Sequence, residues 1–211
     1  MTPPTSHDPL AEGSNPQVTS NLVVPYNREW PRLFAEIRAV LERNISGKFH
    51  AIEHVGSTSV PGMAAKPIID INIVVRAGQF DVVRQRLEAL GYEWEGEKGV
   101  PGRCSFRLRD NTLSGALARH HLYVLEADAE ELQRHRAFRD YLRAHPDEAA
   151  RLSVHKLGLA ERLAIQLDDD RFAYQEAKAP MVLEILEKAL AWSEGVGGQP
   201  QGLPLRARNS A

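Results

Sequence analysis

Apolar residues recur along this chain with two different periods, and each change of period marks out an element. Leu33, Phe34, Ile37, Val40 and Leu41 form one stripe at helical spacing. That stripe predicts a helix over about Glu29 to Asn44, with Pro31 in the first turn, where its missing N–H costs nothing. From Phe49 to Val55 and from Lys66 to Val75 the chain reads as strands, the second with a period of two. Phe80 to Leu90 returns to helical spacing and meets Gly91, which suits a left-handed cap. Short strands are expected over Tyr92 to Glu95, Ser105 to Arg109 and His121 to Glu126. A helix then runs from Ala129 to Ala144 and stops before His145-Pro146, because a residue preceding proline is biased away from helical geometry. In the next helix, from Pro146, the residues Leu152, Leu157, Leu159, Leu163 and Ile165 surround Lys156, and a last helical region spans Arg171 to Trp192, which Pro180 should kink or divide. The order favours an α+β fold, a mixed β-sheet flanked by helices with a helical C-terminal third. Residues 1–20 and 195–211, rich in Pro, Ser, Gly and Asn without periodicity, are expected to be disordered tails around one domain at 21–194.

The strand over Lys66 to Val75 departs from a simple core strand. Its alternation sends Ile69, Ile71 and Ile73 to one side and Ile68, Asp70 and Asn72 to the other, so one face is polar where a sheet core is apolar. Upstream, Gly56-Ser57 forms a turn whose backbone N–H groups and hydroxyl can face a phosphate. A Gly-Ser turn leading into an acid-bearing strand supplies what phosphoryl chemistry needs.

The run His54-Val55-Gly56-Ser57-Thr58-Ser59-Val60-Pro61-Gly62-Met63-Ala64-Ala65-Lys66-Pro67-Ile68-Ile69-Asp70-Ile71 resembles the signature of the GrpB family of bacterial proteins. Val24 to Trp30, Val100 to Arg103, His121 to Val124, Phe138 to Arg143 and Ala173 to Lys178 extend the resemblance, which covers roughly residues 22–192. It implies a nucleotidyltransferase-like fold. It also implies a possible partner, since in some bacteria a GrpB-like domain is fused behind a dephospho-coenzyme A kinase and is associated with its folding. No G-x-x-x-x-G-K-[ST] loop is present, so the chain is not expected to be a P-loop kinase. The family pattern carries a Tyr where Leu152 stands, lacks a proline at position 180 and has H-x-H-V where this chain keeps His121 and places Tyr123 second.

In that fold, nucleotidyl transfer draws on a divalent metal held by two acids at i and i+2 on one strand and a third acid on a neighbour. The matching positions here are Asp70 and Asn72, with His121 and Tyr123 on the expected neighbour. The resemblance therefore assigns Asp70 and Asn72 to catalysis, and Asp70, Asn72 and His121 to a divalent metal, magnesium or manganese. It assigns Gly56, Ser57, Lys66, Arg103 and Lys156 to the nucleotide. Two classes stay open. In one, the chain is a nucleotidyltransferase acting on a nucleoside triphosphate and an unknown acceptor. In the other, it is a catalytically degenerate nucleotide-binding or folding-assistance module, for example for dephospho-coenzyme A kinase.

Composition narrows the partners. The 211 residues carry a net charge of −2, which removes the electrostatic case for wholesale nucleic-acid binding and leaves single phosphate-bearing ligands open. A lone Cys104, no apolar run near the ~20 residues of a membrane span and a polar start without signal-peptide features lead to a cytoplasmic expectation. Asp70 has a structural alternative, pairing with Lys66 or an arginine, and Asn72 could satisfy backbone groups at the strand end. The His residues match no zinc spacing, Asp168 to Asp170 read as a helix cap, and Arg171 and Lys178 read as solvated charges at a helix start. Cys104 lacks a base partner that would make it a nucleophile.

Overall fold

The structure, a computed structural model, describes residues 23–109, 112–164 and 171–195. The expected tails over 1–20 and from 196 onward, Ile165, and the acidic run Asp168 to Asp170 lie outside the described residues. Its elements are α1 (Trp30–Asn44), β1 (Ala51–Val55), a 3₁₀ turn at Ser57–Ser59, β2 (Ile69–Val75), α2 (Phe80–Ala89), β3 (Tyr92–Trp94), β4 (Cys104–Leu108), α3 (Thr112–Ala116), β5 (His120–Glu126), α4 (Glu130–Ala144), α5 (Pro146–Ala164) and α6 (Arg171–Gly195). The fold is α+β: one five-stranded mixed sheet in the order β1-β2-β5-β4-β3, with a helical C-terminal part. Among the described strands only β2 and β5 run parallel, and their pairing sets Asp70 beside His121 and Asn72 beside Tyr123.

Strand alternation divides the sheet into two environments. Ile69, Ile71, Ile73 and Val75 of β2, with Leu122 and Val124 of β5, pack against Ile37 and Leu41 of α1 and Val83 and Leu87 of α2. Close packing of this face fixes the register, because a slip of one residue would turn every isoleucine of β2 to the other side. On the opposite face, Val74 and Leu125 are covered by Leu132 of α4, while Asp70, Asn72, His121 and Tyr123 occupy the other half. A separate apolar cluster joins α4, α5 and α6 through Ala137, Tyr141, Leu142, Ala149, Leu152, Ile185 and Ala189, with Val60 and Met63 from the turn after β1. This arrangement suspends three helices over the polar half of the sheet.

Several boundaries differ from those the spacing predicts. β2 begins at Ile69 rather than Lys66, since Lys66-Pro67 lacks the N–H that a ladder would need at the proline. β4 and β5 each begin one residue earlier than expected, and α3 has no apolar period from which to find it. α6 is continuous through Pro180. One lost N–H is tolerated there because Ile185 and Ala189, beyond it, are held in the helical cluster.

Candidate functional site

The turn after β1 is built around one close backbone approach. Gly56 has φ 67 and ψ −170, and a Cβ at this position would lie 2.3 Å from Asp70 Oδ2. A left-handed φ and a carboxylate against the backbone both require glycine. His54 stacks on Phe34 with ring centroids 4.7 Å apart, and its Nε2–H donates to Thr58 Oγ1 at 2.9 Å. Burial lowers the His54 pKa to about 4, so the ring is neutral near pH 7. From outside, α4 fastens the turn: Arg143 donates to Ser59 O at 2.8 and 3.0 Å, and Arg139 to His54 O at 3.4 Å. Arg139 also bonds Glu53 at 2.9 Å, and Arg136 pairs with the same carboxylate. Burial pushes the Glu53 carboxyl up, but the two guanidiniums override it and hold its pKa below the ordinary carboxylate value. Ser153 of α5 accepts from Ala64 N at 3.0 Å, completing the clamp.

Lys156 reaches this turn from α5. Only 4% exposed, its Nζ donates to Ser57 Oγ at 2.6 Å and to Ala64 O at 3.2 Å. Desolvation, reinforced by the charge of Lys178 and opposed by Asp70, lowers its pKa to about 7. Lys178 of α6 is lowered too, by burial and by Lys66, against the pull of Asp70. Lys66 lies over the Tyr174 ring, 4.6 Å from its centroid.

A cleft of about 400 Å³ opens between the polar half of the sheet and α4, α5 and α6. Small-molecule sites span roughly 300–1,000 Å³. Two carboxylates, Asp70 and Glu131, line it together with four cations, Arg103, Arg134, Lys156 and Lys178. That surplus of positive charge in a partly desolvated cleft suits an anion. Of the residues the sequence assigns, Gly56, Ser57, Asp70, Arg103 and Lys156 converge here, whereas Lys66, Asn72 and His121 are not on the cleft wall. Lys178, expected as a solvated charge at a helix start, is instead one of the lining cations.

Asp70 accepts from His121 Nδ1–H at 2.9 Å, across the parallel β2–β5 pair. Asn72 is fully buried and its amide donates to His135 Nδ1 at 3.0 Å. His135 Nε2–H is 3.2 Å from Glu131 Oε1, and Glu131 stands 3.7 Å from Arg103, whose guanidinium lies 4.8 Å from the Tyr123 ring centroid. The bond from His135, with the nearby cations Arg134 and Arg103, holds the Glu131 carboxyl below its usual range. Asn72 thus begins a chain of contacts that orients Arg103.

These donors do not fit a magnesium or manganese site held by the protein. Hard divalent ions need several oxygen ligands, commonly carboxylates. Asp70 supplies one, Asn72 is committed to His135, and His121 points its Nδ1–H at Asp70. Among the described residues, no three His, Cys, Asp or Glu side chains are grouped to hold a metal ion.

The polar half-sheet, clamped glycine turn and lysine-bearing helices define an α+β protein whose cleft is lined by more cations than carboxylates. The chain belongs to the GrpB family, described as GrpB protein, which matches residues 21–188. It is 37% identical to the UPF0157 protein YqkA of Bacillus subtilis over 82% of this chain and 48% of that relative. A dephospho-CoA kinase of Mycolicibacterium paratuberculosis is 26% identical over 84% of this chain and 48% of its own length. The chain therefore spans about half the length of each of these two relatives. A crystal structure of the conserved protein GrpB from Enterococcus faecalis is similar with a TM-score of 0.70 and 31% identity, covering 82% of this chain and 99% of that one. Among the described residues, no helix is long and apolar enough to cross a membrane.

Proposed function

We propose that the cleft binds the phosphate groups of a nucleotide or another phosphate-bearing small molecule. The observation that carries this reading is the convergence of Lys156, Lys178, Arg103 and Arg134 on the wall that contains Ser57 and Asp70. Lys156 Nζ already bonds the Ser57 hydroxyl, so an incoming phosphate oxygen replaces or joins an oxygen that the ammonium now holds. Asp70 repels a phosphate that comes too near and accepts a hydroxyl or a ligand N–H instead.

Of the two classes the sequence left open, the nucleotide-binding module is the better supported. Metal-dependent nucleotidyl transfer through Asp70 and Asn72 needs donors that these side chains do not present. Transfer to an unknown acceptor is thus the second reading, supported by the juxtaposition of Gly56, Ser57 and Asp70 alone. A folding-assistance role beside a dephospho-coenzyme A kinase draws only on the name of one relative.

The test is thermal unfolding of the wild type and Lys178→Met against nucleoside mono-, di- and triphosphates, each with magnesium, with manganese and with a chelator. A ligand at about 100 times its dissociation constant stabilises by about 2.7 kcal/mol. The proposal expects stabilisation that survives the chelator and disappears in Lys178→Met. A shift strictly dependent on metal and lost in Asp70→Ala would return the weight to the transferase, and no shift with any of these ligands would refute phosphate binding.

A further inference from the structure

The cleft has a second chemical character that phosphate binding does not use. The three helices bring five apolar side chains to it besides the charged ones: Phe138 from α4, Leu152 from α5, and Val182, Leu183 and Leu186 from α6. Helical geometry sorts them from the cations. Along α6 the lining positions Lys178, Val182 and Leu186 are four apart, so one stripe changes from cationic to apolar within about 12 Å. On α5, Leu152 precedes Lys156 by one turn on the same side. Phe138, Leu152 and Val182 belong to the apolar cluster that joins the three helices, so this part of the wall continues a packed core rather than a solvated surface. Leu183 is 52% exposed although it lines the cleft, an open apolar surface beside four cations.

We infer that the ligand is amphiphilic: a phosphate ester or anhydride whose phosphate meets Lys156 and Lys178 while a flat apolar or aromatic body lies against Phe138, Val182 and Leu183. This rests on the phosphate reading of the same cleft and names the class of molecule it takes. Nucleoside phosphates and aryl phosphates fit it. Sugar phosphates and inorganic pyrophosphate satisfy the cationic end only, and leave the apolar wall in water. Aliphatic or aromatic area on that wall adds to affinity in proportion to the surface it removes from water, whereas a hydroxylated sugar loses hydration it cannot recover there. Because the two ends are about two helical turns apart, one small molecule can span both.

Isothermal titration in chelator-containing buffer separates this inference from the reading beneath it. Pyrophosphate, ribose 5-phosphate, a nucleoside diphosphate and naphthyl phosphate are titrated into the wild type, Val182→Asp and Leu183→Ser. The inference expects naphthyl phosphate to bind about tenfold more tightly than ribose 5-phosphate in the wild type. It expects this preference to collapse in Val182→Asp and to shrink in Leu183→Ser, whose exposed position puts little of the fold at risk, while pyrophosphate affinity in Leu183→Ser stays within about twofold of the wild type. Equal affinity for the aryl and sugar phosphates, with pyrophosphate still bound, overturns the amphiphilic ligand and leaves the phosphate site standing. Failure of every phosphate compound, pyrophosphate included, overturns both.

Discussion

Replacing Lys156 with methionine should remove phosphate binding and yet leave the protein as stable as the wild type or more so near pH 7. The side chain is 4% exposed and its pKa is brought from 10.5 to about 7, chiefly by loss of water. In the unfolded chain the lysine keeps its proton to about pH 10.4, whereas in the fold it gives it up near 7. Between those values the unfolded state binds more protons, so stability rises with pH, by up to about 1.4 kcal/mol per unit. Below pH 7 the full penalty on the buried ammonium applies, on the order of 4 kcal/mol, and by pH 10 most of it is relieved. Methionine fills a similar volume without that penalty. Its cost is the loss of the bonds to Ser57 Oγ and Ala64 O, about 1 kcal/mol each. The difference leaves Lys156→Met more stable by about 2 kcal/mol at pH 7, with the advantage gone or reversed at pH 10. Urea unfolding at the two pH values measures both quantities. A variant that is destabilised by more than about 2 kcal/mol at pH 7, with a gap that does not change with pH, would refute the argument that desolvation governs this lysine.

Gly56→Ala forces a Cβ against Asp70 Oδ2 at a left-handed φ and should destabilise by about 1–3 kcal/mol in urea unfolding, with loss of phosphate binding. Asn72→Asp should not create a manganese site measurable by metal titration. The new carboxylate can only accept where Asn72 now donates, so the bond to His135 Nδ1 is lost and the variant should be about 1–3 kcal/mol less stable than the wild type in urea unfolding. Glu53→Gln weakens the tie between β1 and Arg136 and Arg139 and should cost about 2 kcal/mol at pH 7. Because the folded pKa of Glu53 is lowered, its contribution is present above the ordinary carboxylate range and disappears as pH falls through the lowered value, so wild type and variant should converge on acidification.

The sheet side of the cleft could be read from the chain because strand alternation is local. A period of two around Asp70 and Asn72 among isoleucines is enough to see a polar half-face, and the Gly56-Ser57 turn is marked by its own residues. On the helical side only Lys156 of α5 was marked in advance. Glu131, Arg134, His135 and Phe138 recur at i, i+3, i+4 and i+7 on α4, but such a polar stripe looks the same whether it faces water or a cleft, and only the packing of Leu132, Ala137 and Tyr141 onto their clusters turns it inward. Lys178 was hidden for the same reason: its acidic neighbours in sequence suggested a solvated helix start, whereas Val182 and Leu186 one and two turns later signal the stripe that carries it into the site. Asn72 shows the limit of transferring a motif by position. Its place two residues after Asp70 matches a metal ligand, and only the approach of α4 gives its amide the His135 partner.

Phosphate recognition by buried lysines, without a metal held by the protein, is tested most directly by the ³¹P resonances of a nucleoside diphosphate titrated with protein in the presence of a chelator. The account predicts that the wild type broadens or shifts both phosphorus signals and that the double substitution Lys156→Met with Lys178→Met leaves them sharp and unmoved. Signals that respond only after magnesium is restored, or that respond equally to the doubly substituted protein, would contradict it.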